Sequence, residues 1–392
     1  MEQATRPEFL HLAGWEVALF YILCFGSLGI AAAQIFATVR RWRIGKPIAP
    51  LREGWKAWVP TKPTLEKWLK NVWNAVLLQR RVRRSRKKSG APMHLLIFYG
   101  FLSMFVATTL LAIATYSHKL GLPNFHKGSY YLWYELTFDI LGLPLFFGLV
   151  WALFRRVSMQ KRASRPITTT DTSDFLTLAL LLIITCTGYL LEAGRIAVNP
   201  QPFDNWSVVG YQIAKALNGL TPDGYRGVWW FHMVWVFIFF AVFPRMRLRH
   251  VLLAIFSTAG MPDRPMGKLV PISMEEVEQT GQIGVTTPKE YSRWHLLSLD
   301  ACMECGRCTE VCPAWNVGKE LNPKLVVQDI RKTGDDENVA AKVGEEVLWQ
   351  CTTCHACVDA CPVGIRHVDL IVDARRNLVA EGKLSGSSAV ML

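Results

Sequence analysis

The chain of 392 residues predicts a mainly α protein in two parts, a five-helix transmembrane bundle followed by a mostly helical domain outside the bilayer. Three observations carry this expectation. Hydrophobic residues make up 51% of the chain and charged ones only 19%, where soluble proteins average roughly 25% charged. The apolar residues gather into long runs before about residue 256. Eight of the ten cysteines lie between Cys302 and Cys361, with only Cys24 and Cys186 inside apolar runs. Such a composition excludes a disordered or collagen-like chain and disfavours an ordinary soluble enzyme. The expected division is a membrane domain over 1–256, a linker rich in Pro and Gly over 257–295, and a cysteine domain over 296–392.

Five segments are long and apolar enough to cross a hydrocarbon core of about 30 Å, near 15–38, 94–117, 130–154, 174–194 and 228–246. The first is preceded by mixed charges and is long for a signal peptide, so it reads as an uncleaved span. Lys and Arg set the orientation. Segment 40–92 carries sixteen of them, including "RRVRRSRKK" at 80–88; 155–165 adds five and 245–249 three. The opposite side holds six: Arg6, Lys119, Lys127, Arg195, Lys215 and Arg226. The N-terminus is expected outside and everything beyond residue 245 in the cytoplasm. The net charge of +13 is then a topology signal, not a nucleic-acid surface. Between the first two spans, Leu65, Trp68, Leu69, Val72, Trp73, Val76 and Leu77 recur at helical spacing. With Thr64 as N-cap they predict an interfacial helix over 64–80.

Four of the nine histidines stand at span ends: His94, His118, His232 and His250. His232 and His250 are 18 residues apart, which on one continuous helix is five full turns of about 100° per residue and roughly 27 Å. Both would face one way, as two axial ligands of haems stacked across a bilayer. The antiparallel second span offers His94 opposite His250 for the inner haem. For the outer haem, His118 is the first partner of His232, but it falls about 120° off the His94 face of a straight helix. His126 and His11 are alternatives, and interfacial polarity alone accounts equally well for any single histidine. Among the acids, Glu135 and Asp139 stand at i,i+4 in the third span and Glu192 precedes Arg195 in the fourth. They are candidates for a proton route beside a quinone, against a simple Glu192–Arg195 salt bridge.

The most specific signal is a repeat. "CMECGRCTEVCP" sets Cys302, Cys305, Cys308 and Cys312 at C-x2-C-x2-C-x3-C-P, and "CTTCHACVDACP" does the same with Cys351, Cys354, Cys357 and Cys361. Three close cysteines bind three irons of a cubane, and the fourth ligand comes from the other motif. Cluster one is expected on Cys302, Cys305, Cys308 and Cys361, and cluster two on Cys351, Cys354, Cys357 and Cys312. Disulfides do not suit a reducing cytoplasm, and the spacing is not that of a zinc ribbon. Gly306 and Gly364 are expected to let backbone approach the clusters, with His355 and His367 beside cluster two as tuning groups. The 38 residues between Cys312 and Cys351, and the patterning of "NPKLVVQDIRKT" and of 368–382, predict a helical two-cluster domain. No G-x-G-x-x-G fingerprint is present, so no dinucleotide site is expected.

The membrane half, with its five spans, its His232–His250 spacing and "HLLIFYGF" opening the second span, resembles the gamma subunit of respiratory nitrate reductase, a dihaem cytochrome b. The cysteine half, in "LDACMECGRCTEVCPAWNVGKELNPK" and "LWQCTTCHACVDACPVGIRHVDLIVDARR", resembles the two-cluster domain of heterodisulfide-reductase-like proteins. Together they resemble fused membrane iron–sulfur oxidoreductases of the electron-transfer flavoprotein:menaquinone type. The resemblance implies a subunit of a hetero-oligomeric quinone oxidoreductase in a bacterial or archaeal cytoplasmic membrane. It would relay electrons between a flavoprotein or cysteine-rich partner, two 4Fe-4S clusters, one or two b haems and menaquinone. Family members usually continue into C-C-G domains, which residues 1–392 do not contain; a separate subunit would supply that site, or the partner would donate directly to the clusters. Two rival expectations are a quinol-oxidising subunit of a heterodisulfide- or sulfite-reductase-type complex and a non-catalytic iron–sulfur anchor.

Overall fold

The computed structural model describes residues 4–47, 62–84, 90–121, 123, 125–160, 172–262 and 264–384. Among them every named element is helical, and the only extended pairings are two isolated bridges, Thr5–Lys127 and Lys46–Ser292. The chain divides into two compact units, each taken by itself below. Unit 1 comprises Met1–Ala32, Lys87–Ser164 and Thr170–Met246, and unit 2 comprises Ala33–Arg86, Arg165–Thr169 and Arg247–Leu392.

Unit 1 is built on the first part of the long apolar helix Gly14–Trp42, up to Ala32, and on the helices Gly90–Lys119, Gly128–Gln160, Thr172–Val198 and Pro222–Val242. All five are long and apolar enough to cross a membrane, and they leave large apolar side chains such as Ile22, Phe25, Phe105 and Phe154 exposed. That much exposed apolar surface is foreign to a soluble protein. The fifth helix runs from 222 to 242 where 228–246 is expected. Thr221 caps it by accepting from the Gly224 N–H at 3.1 Å, with Pro222 in the first turn. At the other end Phe243 precedes Pro244, a position that disfavours continued helix.

The helix therefore stops seven residues before His250, which instead opens a separate helix, His250–Ala259, after a short 3-10 turn at Arg247–Arg249. The single straight helix assumed for the His232–His250 spacing is not formed.

Small residues bring the spans together. A Cβ on Gly100 would meet the Leu145 backbone nitrogen at 2.5 Å, and one on Gly148 would meet Ile97 at 2.8 Å. With no water in the hydrocarbon core, such close approach is what lets helices associate. Pro144 lies inside the continuous third helix and removes a backbone donor. Nearby carbonyls are served from neighbouring helices: Ser103 Oγ donates to Leu141 O at 3.2 Å and Tyr189 Oη to Asp139 O at 2.6 Å.

Unit 2 is a helical domain around a core of Tyr291, Leu299, Leu321, Val327, Ile330, Leu348, Ile365 and Leu370. Segment 257–295 is no bare linker. Tyr291 Oη donates to Leu370 O at 2.8 Å, and the buried Trp294 donates through Nε1 to Ser257 O at 2.9 Å. The segment also pairs with the end of the first long helix. Lys46 N donates to Tyr291 O and Arg293 N to Lys46 O, both at 2.9 Å, while Trp42 Nε1 reaches Asp300 Oδ2 at 2.8 Å.

The interfacial helix expected over 64–80 starts at Lys62, so Thr64 lies inside it and is not its cap. It widens into a π turn at Trp73–Leu77 and ends before Gln79, which is left-handed at φ 50°. Leu65, Trp68, Leu69 and Trp73 remain exposed along it. The basic run 80–88 extends beyond the described residues after Arg84.

Gly100→Ala should destabilise unit 1 by about 1–3 kcal/mol, because the added methyl meets backbone that cannot move aside. A lower thermal midpoint of the protein in detergent is the expected outcome; an unchanged midpoint would refute the close packing.

Candidate functional site: two cysteine loops and a polar cluster

The two cysteine motifs fold alike. In each, the second residue after the first cysteine is left-handed, Glu304 at φ 56° and Thr353 at φ 52°, and so is the residue after the second cysteine, Gly306 at φ 75° and His355 at φ 60°. Each loop then enters a short helix, Arg307–Glu310 or Ala356–Ala360. The fourth cysteine of each lies in extended backbone before its proline. Gly306 occupies its left-handed position at no steric cost. His355 stands at the equivalent place with a side chain.

The thiols group crosswise by their mutual electrostatics. Cys308 feels Cys305, Cys302 and Cys361 most and Cys357 less, and Cys357 feels Cys351, Cys312 and Cys354 most and Cys361 less. The second group lines one cleft together with Pro313, Pro323 and His355. All ten cysteines are free of disulfides.

Burial pushes the Cys302 thiol up to about 12. It also pushes Cys361 up to about 11, with the neighbouring Cys305 adding to the rise. Buried thiols such as Cys302 and Cys361 are most easily ionised by nearby positive charge, which suits a cationic metal centre. Among the described residues no three His, Cys, Asp or Glu converge as for a single metal ion; a four-iron cube binds its thiolates on separate irons.

The two groups differ in surroundings. The Cys302 loop is half-covered, and Arg247 pairs with its Glu304 at 3.1 Å. Arg81 Nη1 donates to Cys361 O at 2.8 Å. In the second loop Thr352, Thr353 and Cys354 are exposed. Its neighbouring cation is Arg375, which donates to Leu348 O at 2.8 Å and Cys351 O at 2.6 Å and lies 5.1 Å over the Trp349 ring. His367 is buried and held through Nδ1 at 3.1 Å from Ile365 O, with burial lowering its proton affinity to about 4.

The span-end histidines divide between the units. In unit 1, His232 Nδ1 sits 2.8 Å from Thr187 Oγ1, and the His94 ring stacks on Phe98 at 6.4 Å. His118 lies in the last turn of Gly90–Lys119, with its side chain outside the described residues. His126 is buried edge-on against Tyr134 at 4.5 Å, and burial with the nearby Arg6 lowers its proton affinity to about 4. His11 is left-handed at φ 58° beside Tyr225. In unit 2, His250 Nδ1 lies 2.6 Å from Arg247 O. In both His232 and His250 the polar partner lies at Nδ1 and not at Nε2, an arrangement that metal-bound histidines also use.

The three acids come together in unit 1, within a network that sequence reasoning found only in part. Glu192 accepts from Arg195 at 2.7 Å, as one reading of that pair expects, and Arg6 reaches Glu192 at 3.2 Å and Glu135 at 4.0 Å. Arg195 also meets Asp204 at 3.3 Å. Asp139 takes a different part: it accepts from Ser207 Oγ and Gly210 N, both at 3.3 Å, and so caps helix Val208–Ala216. Neither Arg6, in the segment before the first helix, nor Asp204, opening the 3-10 turn Asp204–Trp206, carries a sequence signal for this role, since each is brought to its partners by packing.

Residues 298–365 match the family described as the 4Fe-4S dicluster domain. The chain is 27% identical over 373 residues to an EtfAB:quinone oxidoreductase of Syntrophomonas wolfei, covering 82% of this chain and 51% of that protein. It is 29% identical over 408 residues to a "probable membrane-anchored ferredoxin" of Chromohalobacter salexigens, covering 95% of this chain and 55% of the relative. Over 88 residues, 22% of this chain and half of the relative, it is 42% identical to one subunit of the ferredoxin/F420H2-dependent CoB-CoM heterodisulfide reductase of Methanosarcina acetivorans. No solved structure matches. The chain spans about half the length of the long relatives it matches. Its cysteine loops thus lie in the segment that matches the 4Fe-4S dicluster domain, carried on a helical chain that is similar over most of its length to an EtfAB:quinone oxidoreductase and to a probable membrane-anchored ferredoxin.

Proposed function

We propose that the chain is the membrane electron-transfer subunit of a quinone oxidoreductase complex in a bacterial or archaeal cytoplasmic membrane. The observation that carries this reading is the crosswise grouping of eight cysteines in a chain with five long apolar helices. One 4Fe-4S cluster is assigned to Cys302, Cys305, Cys308 and Cys361, and the other to Cys351, Cys354, Cys357 and Cys312. Haem b is assigned to His94 and His250 on the inner side and to His118 and His232 on the outer side. When bound, these groups supply one-electron transfer. The protein's own residues hold and orient them. Thr187 and the Arg247 carbonyl fix the ring tautomers of His232 and His250, and the left-handed residues at 304, 306, 353 and 355 turn each cysteine loop around its centre.

A soluble electron-transfer flavoprotein or cysteine-rich protein is the proposed partner, reaching the exposed loop 352–354. Menaquinone is the proposed membrane partner. Of the three candidate acids, Asp139 is engaged as a helix cap and Glu192 by two arginines. Glu135, whose Arg6 contact is longer at 4.0 Å, is the carboxyl best suited to exchange a proton with a quinone. The charge asymmetry of the connecting segments supports an N-terminus outside and clusters in the cytoplasm. A second reading, a quinol-oxidising subunit of a heterodisulfide-reductase-type complex, draws on the similarity of the dicluster segment to a subunit of such an enzyme. Reduction by flavoprotein and not by quinol favours the first reading; the opposite outcome favours the second.

The deciding experiment is a reduced-minus-oxidised spectrum of the purified protein with its haem-to-iron ratio. Two b haems with about eight further irons are expected from two cubane clusters; absence of haem would overturn the cytochrome assignment and leave an iron–sulfur anchor. Cys312→Ala should cost the cluster of the Cys351 group and spare the other, read by electron paramagnetic resonance; loss of the Cys302-group signal instead would overturn the crossed ligation. His250→Ala should remove one haem and leave both iron–sulfur signals, and a full haem complement in that variant would refute His250 as a ligand.

A further inference from the structure

Three cations from three separate segments surround the Cys302 group. Arg81, in the short helix Arg80–Arg83, donates to the Cys361 carbonyl at 2.8 Å. Arg249 donates through Nε to the Asp300 carbonyl at 3.1 Å, two residues from Cys302, and stands within electrostatic reach of that thiol. Lys324, 1% exposed, lies near Cys308 and Cys302. A fourth cation, Arg247, is matched by Glu304 at 3.1 Å. Beside the Cys351 group, among the described residues, stands Arg375. Two loops of the same backbone thus sit in unequal electrostatic surroundings.

Reduction adds one electron to a cluster and makes it more negative by one charge, so fixed positive charge beside it favours the reduced form. Half-buried charges are little screened by salt, and cluster potentials respond to net charge and to hydrogen bonding. Both arginines donate to backbone carbonyls near the cysteines, so what they offer the centre is charge.

We propose that Arg81 and Arg249 raise the reduction potential of the cluster held by Cys302, Cys305, Cys308 and Cys361 and leave that of the Cys351 group unchanged. The inference rests on the cluster assignment above. It makes both arginines positioning residues that tune one centre, where their sequence context marks them only as basic residues flanking spans.

The test is a dithionite titration of the purified full chain, followed by electron paramagnetic resonance, after iron analysis has established two clusters. Arg81→Gln and Arg249→Gln should each lower the same one of the two midpoints by at least about tenfold in the reduction equilibrium, about 59 mV for one electron. Arg81→Lys and Arg249→Lys should largely restore it, because they keep the charge. Arg375→Gln should lower only the other midpoint. Glu304→Gln should shift the Arg81-sensitive midpoint upward, which keeps the inference testable if a Gln variant fails to load iron. With two clusters present, unmoved midpoints in the Gln variants, or an Arg375→Gln effect on the same midpoint, would overturn the inference alone. A wild-type protein without two clusters would overturn the underlying assignment.

Discussion

If the two cysteine loops exchange their fourth ligand as proposed, that exchange is the constraint on which unit 2 depends. A C-x2-C-x2-C loop wraps only part of a cube, and the next cysteine, following a short helix, is carried across to the other loop. The crossed ligation proposed above would require Cys361 near Cys302 and Cys312 near Cys351, although tens of residues separate each pair. The intervening chain must return on itself, and it does so as helices. Asn322 starts one of them by accepting from the Lys324 and Leu325 N–H groups, with Pro323 in the first turn. The apolar face of that helix, Val326, Val327 and Ile330, fills the core between the loops. Thr309, in the helix after the first loop, donates to Asn322 at 2.6 Å and ties cap and loop together.

Unit 1 answers to a different rule. In a hydrocarbon environment an unpaired polar group is costly, so polar side chains in the spans find company. Threonine and serine hydroxyls return to carbonyls within their own helix, as Thr185 does to Leu181 at 2.8 Å. One group of buried charge has Arg6 and Arg195 facing Glu135, Glu192 and Asp204, and at the other end of helix Thr172–Val198 the buried Asp174 pairs with Arg156 at 2.6 Å. Removing one arginine would strand a carboxylate, at a cost on the order of 3–5 kcal/mol for breaking a buried pair. The glycines at 100, 142 and 148 serve the same bundle by letting helices touch at close range.

What could be read from the sequence followed how local its signal was. Long apolar runs declared all five spans, and two identical cysteine spacings declared the dicluster domain, because both are properties of contiguous residues. Boundaries were less legible. The fifth span is shifted toward the N-terminus because its cap at Thr221 and its stop before Pro244 outweigh the apolar run. The helical continuity from His232 to His250 failed at that same proline. Thr64 looked like a cap because the apolar pattern begins after it, yet the helix starts two residues earlier. Least legible were contacts over long separations: Arg6 with Glu192, Arg81 with Cys361, Thr187 with His232. No spacing rule announces such pairs, since each is set by packing.

Segment 257–295 of unit 2 reads as a connector, yet Tyr291 and Trp294 are buried, and the backbone around them pairs with Lys46. Trp42 and Arg331 share the carboxylate of Asp300, one from each of its oxygens. A recombinant fragment begun after the fifth span would carry all eight motif cysteines and still lack Trp42, Lys46 and Arg81. Its Asp300 would keep one partner of two, and Tyr291 would lose the backbone it pairs with. Unit 2 is thus discontinuous in the sequence, and a fragment that keeps these contacts has to include residues 33–47 and 62–84.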